Sequence, residues 1–334
     1  MGASLGASFR VVESLPSLLS SLGYGPAQMK EVYTLSDLAD EAALNPAGEK
    51  PAKLAVIGHP VAHSQSPQLH QPALDAHQLE ARYIRLDLEP GELAEAFARM
   101  KQLGFVGCNV TVPHKFEALS VCTSLDPAAQ ALGAVNTVLF GEGEEKQGFN
   151  TDGPGFVQAI REEFSVDVSD LRIMLVGAGG GAGQALATQC AREGCEQLVL
   201  VNRSLDKIEE LAGRLQPLFS SQKLNGPGER LMTMAIDSPR LAEAADHCAL
   251  IVQTTSLGLK ASDPTPIPHR CLQPHHLVYD TIYQPAKTKF LREAEANGAR
   301  IANGLSLLLH QGALSFEYWF PGSHPLPAMR KGRR

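Results

Sequence analysis

Two short stretches carry the residue types that proton transfer needs. In "NVTVPHK", residues 109–115, a β-branched run ends on a proline, a histidine and Lys115; "NTDG", residues 150–153, offers Asp152. Brought together, an aspartate orients a lysine ammonium, and beside neutral amides and hydroxyls the pair suits proton transfer to a substrate oxygen during hydride transfer from a nicotinamide. Such assistance is worth about 10² to 10⁴ in rate. A lone lysine after a strand is more often its first solvated residue, so the reading depends on what surrounds it. In "GHPVAHSQSPQLHQ", Ser64 and Ser66 follow an apolar run where a helix is about to begin. Hydroxyls and free backbone N–H groups at such a place hold a carboxylate, although a plain helix cap is the commoner role. "GAVNT" adds the amide of Asn136.

A second kind of chemistry is written in "VGAGGGAG", residues 176–183. Gly177, Gly179 and Ala182 read as G-x-G-x-x-A between the strand "RIMLV" and a helix, with the strand "QLVLVN" beyond. In that context the first glycine makes the turn, the second admits a pyrophosphate against the backbone, and the small third residue packs helix on strand. An NAD site usually carries an acid at the end of the next strand. Here stand Asn202, Arg203, Ser204 and, further on, Lys207. Cations and polar groups suit a 2′-phosphate, so the expected cofactor is NADP, with Ser204 also suited to cap a helix.

The elements that must position these groups follow from the apolar pattern. "KLAVIG", "ARYIRLDL" and "GCNVTV" are expected strands, with helices over about 66–79 and 90–103 between them. "GAVNTVLF" and "EKQGFN" flank "GEGE" as a hairpin, and a helix runs to about residue 163. From Leu171 a second series alternates strands ("QLVLVNRS", "LMTMAI", "CALIVQTT", "HLVYDTIY") with helices, which indicates a parallel sheet wound on both faces. "NGLSLLLHQGALSFEYWF" is a last apolar helix holding the only tryptophan, Trp319. Residues 1–50 read as an extension before the main fold, with weak helical periodicity in "LPSLLSSLGY" and "MKEVYTLSDLADEAAL". Gly153, Pro154 and Gly155 are the expected hinge strand at the crossing between two domains.

Composition excludes several classes. A chain of 334 residues, 44% hydrophobic and 19% charged, is long enough for two globular domains, and a net charge of −7 argues against a nucleic-acid surface despite the short basic tail "MRKGRR". No run is long enough to span a bilayer, and the N-terminus lacks the basic-then-apolar pattern of a secretory signal. The six cysteines form no C-x-x-C pair and read as reduced core residues; the histidines, His59, His63 and His70 among them, show no metal-ligand spacing. A cytoplasmic enzyme without metal, acting on a small molecule, is expected.

Eight motifs in order, "GHPVAHSQSPQLHQ", "NVTVPHK", "GAVNT", "NTDG", "GAGGGAG", "NRS", "YDTIYQPAKTKFL" and "GLSLLLHQGA", give the sequence a strong resemblance to shikimate dehydrogenases over about residues 53–320. The resemblance implies NADPH-dependent reduction of 3-dehydroshikimate on the way to chorismate and the aromatic amino acids. It implies two α/β domains separated by a cleft: a substrate-binding domain with its own mostly parallel sheet, residues 51–152 plus 304–330, and a Rossmann-type NADP domain, residues 153–303. A homodimer is compatible with it. Carried over, Ser64 and Ser66 hold the substrate carboxylate with Tyr283 nearby, Lys115 and Asp152 form the catalytic pair, and Thr111, Asn136 and Gln311 bind ring hydroxyls. On the cofactor side it implies Gly179, Gly180 and Gly181 at the pyrophosphate beside Gly177, Asn202, Arg203, Ser204 and Lys207 at the 2′-phosphate, and Thr254 and Gly304 near the nicotinamide. The sequence departs from the family in its long N-terminal extension, in His114 before the lysine, and in "QTTSLG", where an asparagine more often precedes the threonines. A quinate dehydrogenase on the same fold is the nearest rival; Arg203 and a serine at Ser66 favour shikimate and NADP. A catalytically silent NADP-binding sensor would need the loss of Lys115 or Asp152, and both are present.

Overall fold

A computed structural model describes residues 29–219 and 229–332. Strands β1 (Tyr33–Thr34), β2 (Ala52–Gly58), β3 (Arg82–Asp87), β4 (Gly107–Val110), β5 (Ser124–Leu125), β6 (Thr137–Phe140) and β7 (Lys146–Phe149) form one sheet in the order β1-β3-β2-β4-β6-β7-β5. β2 runs parallel to β3 and β4, while β6 pairs antiparallel with β4 and with β7. The β6–β7 hairpin is the one expected around "GEGE". A second sheet, all parallel, contains β8 (Arg172–Val176), β9 (Gln197–Asn202), β10 (Leu231–Ala235), β11 (Leu250–Gln253), β12 (Leu277–Asp280) and β13 (Arg300–Asn303), in the order β10-β9-β8-β11-β12-β13. Two mononucleotide-binding halves meet in such a sheet between β8 and β11, where the strand order reverses.

The helices are α1 (Glu41–Leu44), α2 (Ser66–Ala76), α3 (Leu93–Gln102), α4 (Lys115–Val121), α5 (Pro127–Leu132), α6 (Asp152–Phe164), α7 (Gly181–Arg192), α8 (Leu205–Phe219), α9 (Leu241–Asp246), α10 (Lys289–Ala296), α11 (Leu305–Trp319) and α12 (Leu326–Lys331). Strands buried on both faces need apolar residues throughout, which is why "RIMLV" and "LIVQ" read as continuous runs. Ile173 and Leu175 face one core with Phe156 and Leu186, whereas Met174 and Val176 face the other with Phe290 and Leu291. Helix α11 returns to the first sheet, packing Leu309, Phe316 and Trp319 against Leu54, Val56 and Tyr83.

Three expectations need correction. The extension does not simply precede the fold: β1 pairs with β3, and Tyr33 is buried in the first core, its hydroxyl accepting from Arg82 Nη1 at 2.9 Å. A two-residue strand has no periodicity to betray it; "LPSLLSSLGY" lies outside the described residues. The expected helix to residue 79 ends at Ala76, before Gln78 turns with φ +55°, and the helix expected from residue 90 begins at Leu93. Gly153 and Gly155 form no hinge strand but lie in the first turns of α6, because α6 crosses two helices closely there. A Cβ on Gly153 would stand 2.7 Å from Gln189 Oε1 of α7, and one on Gly155 2.8 Å from the Gln311 backbone nitrogen of α11.

Candidate active site

β2 pairs with β3 on one side and β4 on the other, and beyond their carboxyl ends the chain turns off to α2 after β2 and to α4 after β4, beside a crevice. The loop after β2 carries Ser64, and Ser66 opens α2 with Pro67 behind it, a proline where a missing N–H costs nothing. Ser64 Oγ donates to Ser66 Oγ at 3.2 Å. Arg85 on β3 holds the loop from below: its Nε and Nη2 donate to the Ser64 carbonyl at 3.0 and 2.8 Å, and Nη2 also to Gln68 Oε1 at 3.1 Å.

β4 ends at Val110, so Lys115 is not delivered by the strand itself. It is the first residue of α4, and the turn between them places Thr111 on the crevice wall. His114 anchors that turn: the ring is fully buried, Nε2 lies 2.8 Å from the Leu88 carbonyl oxygen and Nδ1 3.2 Å from Glu117 Oε2.

Asp152 starts α6, its backbone N–H donating to Asn150 Oδ1 at 3.1 Å. Lys115 Nζ donates to Asp152 Oδ2 at 2.6 Å, and Asn136 Nδ2 donates to Asp152 Oδ1 at 2.9 Å. Both carboxylate oxygens are thus engaged within the chain. The pair is 22% and 17% exposed, enough for a ligand to reach the ammonium. Behind it lies a buried polar network. Asn136 Oδ1 accepts from the Thr151 backbone at 2.9 Å; Ser315 Oγ of α11 stands 2.7 Å from Thr137 Oγ1 and 3.2 Å from Thr151 Oγ1; Asn109 Nδ2 donates to Ser315 Oγ at 3.0 Å.

These groups face one cavity of about 320 Å³, which brings Ser64, Ser66, Thr111, Lys115, Asn136 and Asp152 together with Tyr283, Gly304 and Gln311 from the other side. A second cavity, about 370 Å³, gathers Gly177, Gly179, Gly180, Asn202, Arg203, Ser204, Lys207 and Thr254. Among the described residues no acidic side chain lines it. Gly177 takes φ +89°, a backbone that favours glycine, and a Cβ on Gly179 would stand 2.6 Å from Asn202 Nδ2. Gly181, the first residue of α7, lines neither cavity, and Gly304 lies on the first one.

The third position of the glycine motif also moves. Ala182 faces the first cavity, while the close helix-to-strand approach falls at Gly183, whose Cβ would lie 2.3 Å from the Gly177 carbonyl oxygen and 2.8 Å from Ala178 Cα. Asn109, Thr137, Thr151, Ser315 and Arg85 were not singled out from the sequence. A solitary asparagine in the buried strand Gly107–Val110 was the one usable sign, since a buried amide needs partners.

Burial separates several other titratable groups from the chemistry. It pushes the Cys195 and Cys248 thiols to about 12 and Cys122 to about 11, so these remain thiols. It also lowers His70 to about 3, a neutral ring stacked on Tyr83 at 4.5 Å. Among the described residues no group of three His, Cys, Asp or Glu side chains is placed to hold a metal, and no helix is long and apolar enough to cross a membrane.

The shikimate dehydrogenase substrate binding domain family matches residues 56–138, and the shikimate / quinate 5-dehydrogenase family matches residues 158–236. The shikimate dehydrogenase (NADP(+)) of Moorella thermoacetica is 40% identical over 281 residues, 83% of this chain and 90% of the relative. A crystal structure of a shikimate dehydrogenase in complex with NADP+ superposes with a TM-score of 0.74 at 29% identity, covering 92% of this chain and 96% of the other. The Thermus thermophilus enzyme in complex with NADP(H) and shikimate gives 0.71 at 33% identity, covering 84% and 99%. With this identity spread over both sheets and most of each relative's length, the chain belongs to the shikimate dehydrogenase family.

Proposed function

We propose that this chain catalyses the reversible NADPH-dependent reduction of 3-dehydroshikimate to shikimate, the step that serves chorismate and aromatic amino acid synthesis. The observation that carries the reading is the 2.6 Å contact of Lys115 with Asp152 on a cavity that the two serines also line. We assign substrate binding to residues 51–152 with 304–330 and cofactor binding to residues 153–303.

The second cavity fits NADP by its donor set: a glycine turn whose second glycine lies close against Asn202, two cations and, among the described residues, no carboxylate to repel a 2′-phosphate. Gly179 and Gly180 would hold the pyrophosphate, with Gly181 next to them at the head of α7 and outside the cavity lining, Asn202, Arg203, Ser204 and Lys207 the 2′-phosphate, and Thr254 and Gly304 the nicotinamide half. When bound, NADP supplies the hydride for reduction and takes it back in the reverse direction.

The chain's own residues do the rest. Ser64, Ser66 and Tyr283 bind the substrate carboxylate, and Thr111, Asn136 and Gln311 accept or donate to ring hydroxyls. In reduction the Lys115 ammonium gives one proton to the carbonyl oxygen, leaving a neutral amine that regains its proton from water; in oxidation the amine takes the hydroxyl proton. Asp152, its oxygens engaged by Lys115 and Asn136, orients the amine. Thiols spread through both cores suit the reducing cytoplasm.

An absorbance assay with shikimate and quinate in parallel, each with NADP+ and NAD+, tests the reading. Shikimate with NADP+ as the preferred pair is expected. Quinate with NAD+ would move the protein to the rival activity, and turnover of neither would leave a binding protein.

A further inference from the structure

Gln253 and Asp280 are the last residues of adjacent parallel strands, β11 and β12, and stand opposite each other in the register. Beyond them the chain parts. The segment after Gln253 lines the cofactor cavity with Thr254, Thr255, Ser256 and Leu257, and the segment after Asp280 lines the substrate cavity with Thr281 and Tyr283. Both side chains are wholly buried. A polar group so placed is retained only if its hydrogen bonds are made.

Those bonds run into both loops. Gln253 Nε2 donates to the Leu257 carbonyl at 3.0 Å, and Gln253 Oε1 accepts from the Thr255 backbone N–H, which pins the cofactor segment. The same Nε2 lies 3.3 Å from Asp280 Oδ1. Asp280 Oδ1 accepts from the Ile282 backbone at 3.0 Å and Oδ2 from Thr288 Oγ1 at 2.6 Å, which pins the other segment. Two backbone bonds close the frame: Thr281 N–H to the Gln253 carbonyl at 3.0 Å and Gly304 N–H to the Ile282 carbonyl at 3.2 Å.

We propose that Gln253 and Asp280 are positioning residues that act as one joint, setting the cofactor segment 254–257 and the substrate segment 281–283 together, so that a change at either residue disturbs both sites. Glutamine reaches Leu257 and Asp280 at once with a single amide, and an asparagine is one methylene shorter. Neither residue lines either cavity, so neither touches substrate or cofactor. The proposal rests on reading the two cavities as the shikimate and NADP sites.

The test uses Gln253→Leu and Asp280→Asn in the full-length protein, with KM for shikimate and for NADP+, kcat, and NADPH affinity followed by nucleotide fluorescence. A shared joint raises both KM values roughly five-fold or more in each variant while kcat stays within about three-fold. It also weakens NADPH binding in Asp280→Asn, although Asp280 lies on the substrate branch. Loss of folded protein alone would lower kcat with both KM values unchanged, and that outcome overturns the proposal. So does Gln253→Leu moving only the NADP+ value while Asp280→Asn moves only the shikimate value. Should either variant fail to fold, Thr288→Val, which removes one bond to Asp280 together with the cap on the Leu291 N–H and keeps the side-chain shape, decides by the same paired shift. A wild-type chain that neither binds NADPH nor oxidises shikimate contradicts the functional reading instead, and is seen before any variant is made.

Discussion

Lys115 Nζ lies 2.6 Å from Asp152 Oδ2, each residue being the first of its own helix, α4 and α6. A first-turn position is rigid at the backbone yet free of the helix body, so each side chain is aimed without being smothered. The carboxylate's second oxygen accepts from Asn136, which fixes Asp152 to orient the lysine while each oxygen keeps a lone pair that a substrate hydroxyl can use. An ammonium has three N–H donors, and Asp152 occupies one here.

Lys115→Met is therefore expected to lower kcat by about 10² to 10⁴ while the KM for shikimate changes only a few-fold. Asp152→Asn, which keeps the shape and loses the charge, should fall in kcat by less. Steady-state assays and NADPH fluorescence binding check this. An equal loss in nucleotide binding after Lys115→Met would make the lysine a structural residue.

How much of this was readable beforehand depends on range. The glycine turn and the β8 to β13 series announce themselves because strands buried on both faces need unbroken apolar runs and the turn needs small residues within eight positions. The polar network did not: Asn109 and Ser315 are 206 positions apart and meet only because α11 returns to the first sheet. Gly183 was passed over for Ala182 because the motif's spacing, read as text, does not say which small residue faces the strand. Lys115 was placed on a strand end because the β-branched run hides the turn at Thr111 that starts α4.

Arg203 is exposed at the mouth of the cofactor cavity, beside Lys207. Arg203→Ala should raise the KM for NADP+ by roughly 10- to 100-fold, the worth of a charge-assisted hydrogen bond to phosphate, and leave the KM for NAD+ nearly unchanged. Equal shifts for both nucleotides would place Arg203 away from the 2′-phosphate.

Ser315 is completely buried among three polar side chains, with its own hydroxyl donating to the Gln311 carbonyl at 2.9 Å. Ser315→Ala removes a partner from Asn109, Thr137 and Thr151 together, and a destabilisation of about 1–3 kcal/mol is expected from denaturant unfolding. Because Thr151 braces Asn136 and Asn136 holds Asp152, kcat should also fall, by less than in the Asp152 variant. Unchanged stability with unchanged kcat would show that water replaces the hydroxyl.

Asp280 is held well above the ordinary carboxylate range, at about 6, chiefly by burial, with Thr288 and the Ile282 N–H opposing the shift. Its folded-state value exceeds its unfolded value. Its contribution to stability is thus fully present below about pH 4 and lost as pH rises through about 6. Compared with Asp280→Asn, which cannot titrate, the wild type should lose melting temperature between pH 4 and pH 6.5, on the order of a few degrees. A difference between the two that stays flat across this window would mean that Asp280 titrates normally.

Gly155 sits where α6 crosses α11, and what a methyl group there would meet is backbone: the Gln311 nitrogen at 2.8 Å and its Cα at 3.0 Å. Backbone cannot swing aside as a long side chain can, so Gly155→Ala must separate the helices. Overpacking of this kind costs about 1–3 kcal/mol. The displacement would be felt at Gln311, whose side chain reaches the substrate cavity, more than at the glycine turn. Gly155→Ala should therefore melt earlier and show a raised KM for shikimate with the KM for NADP+ close to wild type. Gly153→Ala is the comparison: its Cβ would stand 2.9 Å from Gln189 Cβ, so it presses α6 off α7 instead and should leave the KM for shikimate near wild type. If it raises that KM as much as Gly155→Ala does, the closeness of α6 to α11 does not set the position of Gln311.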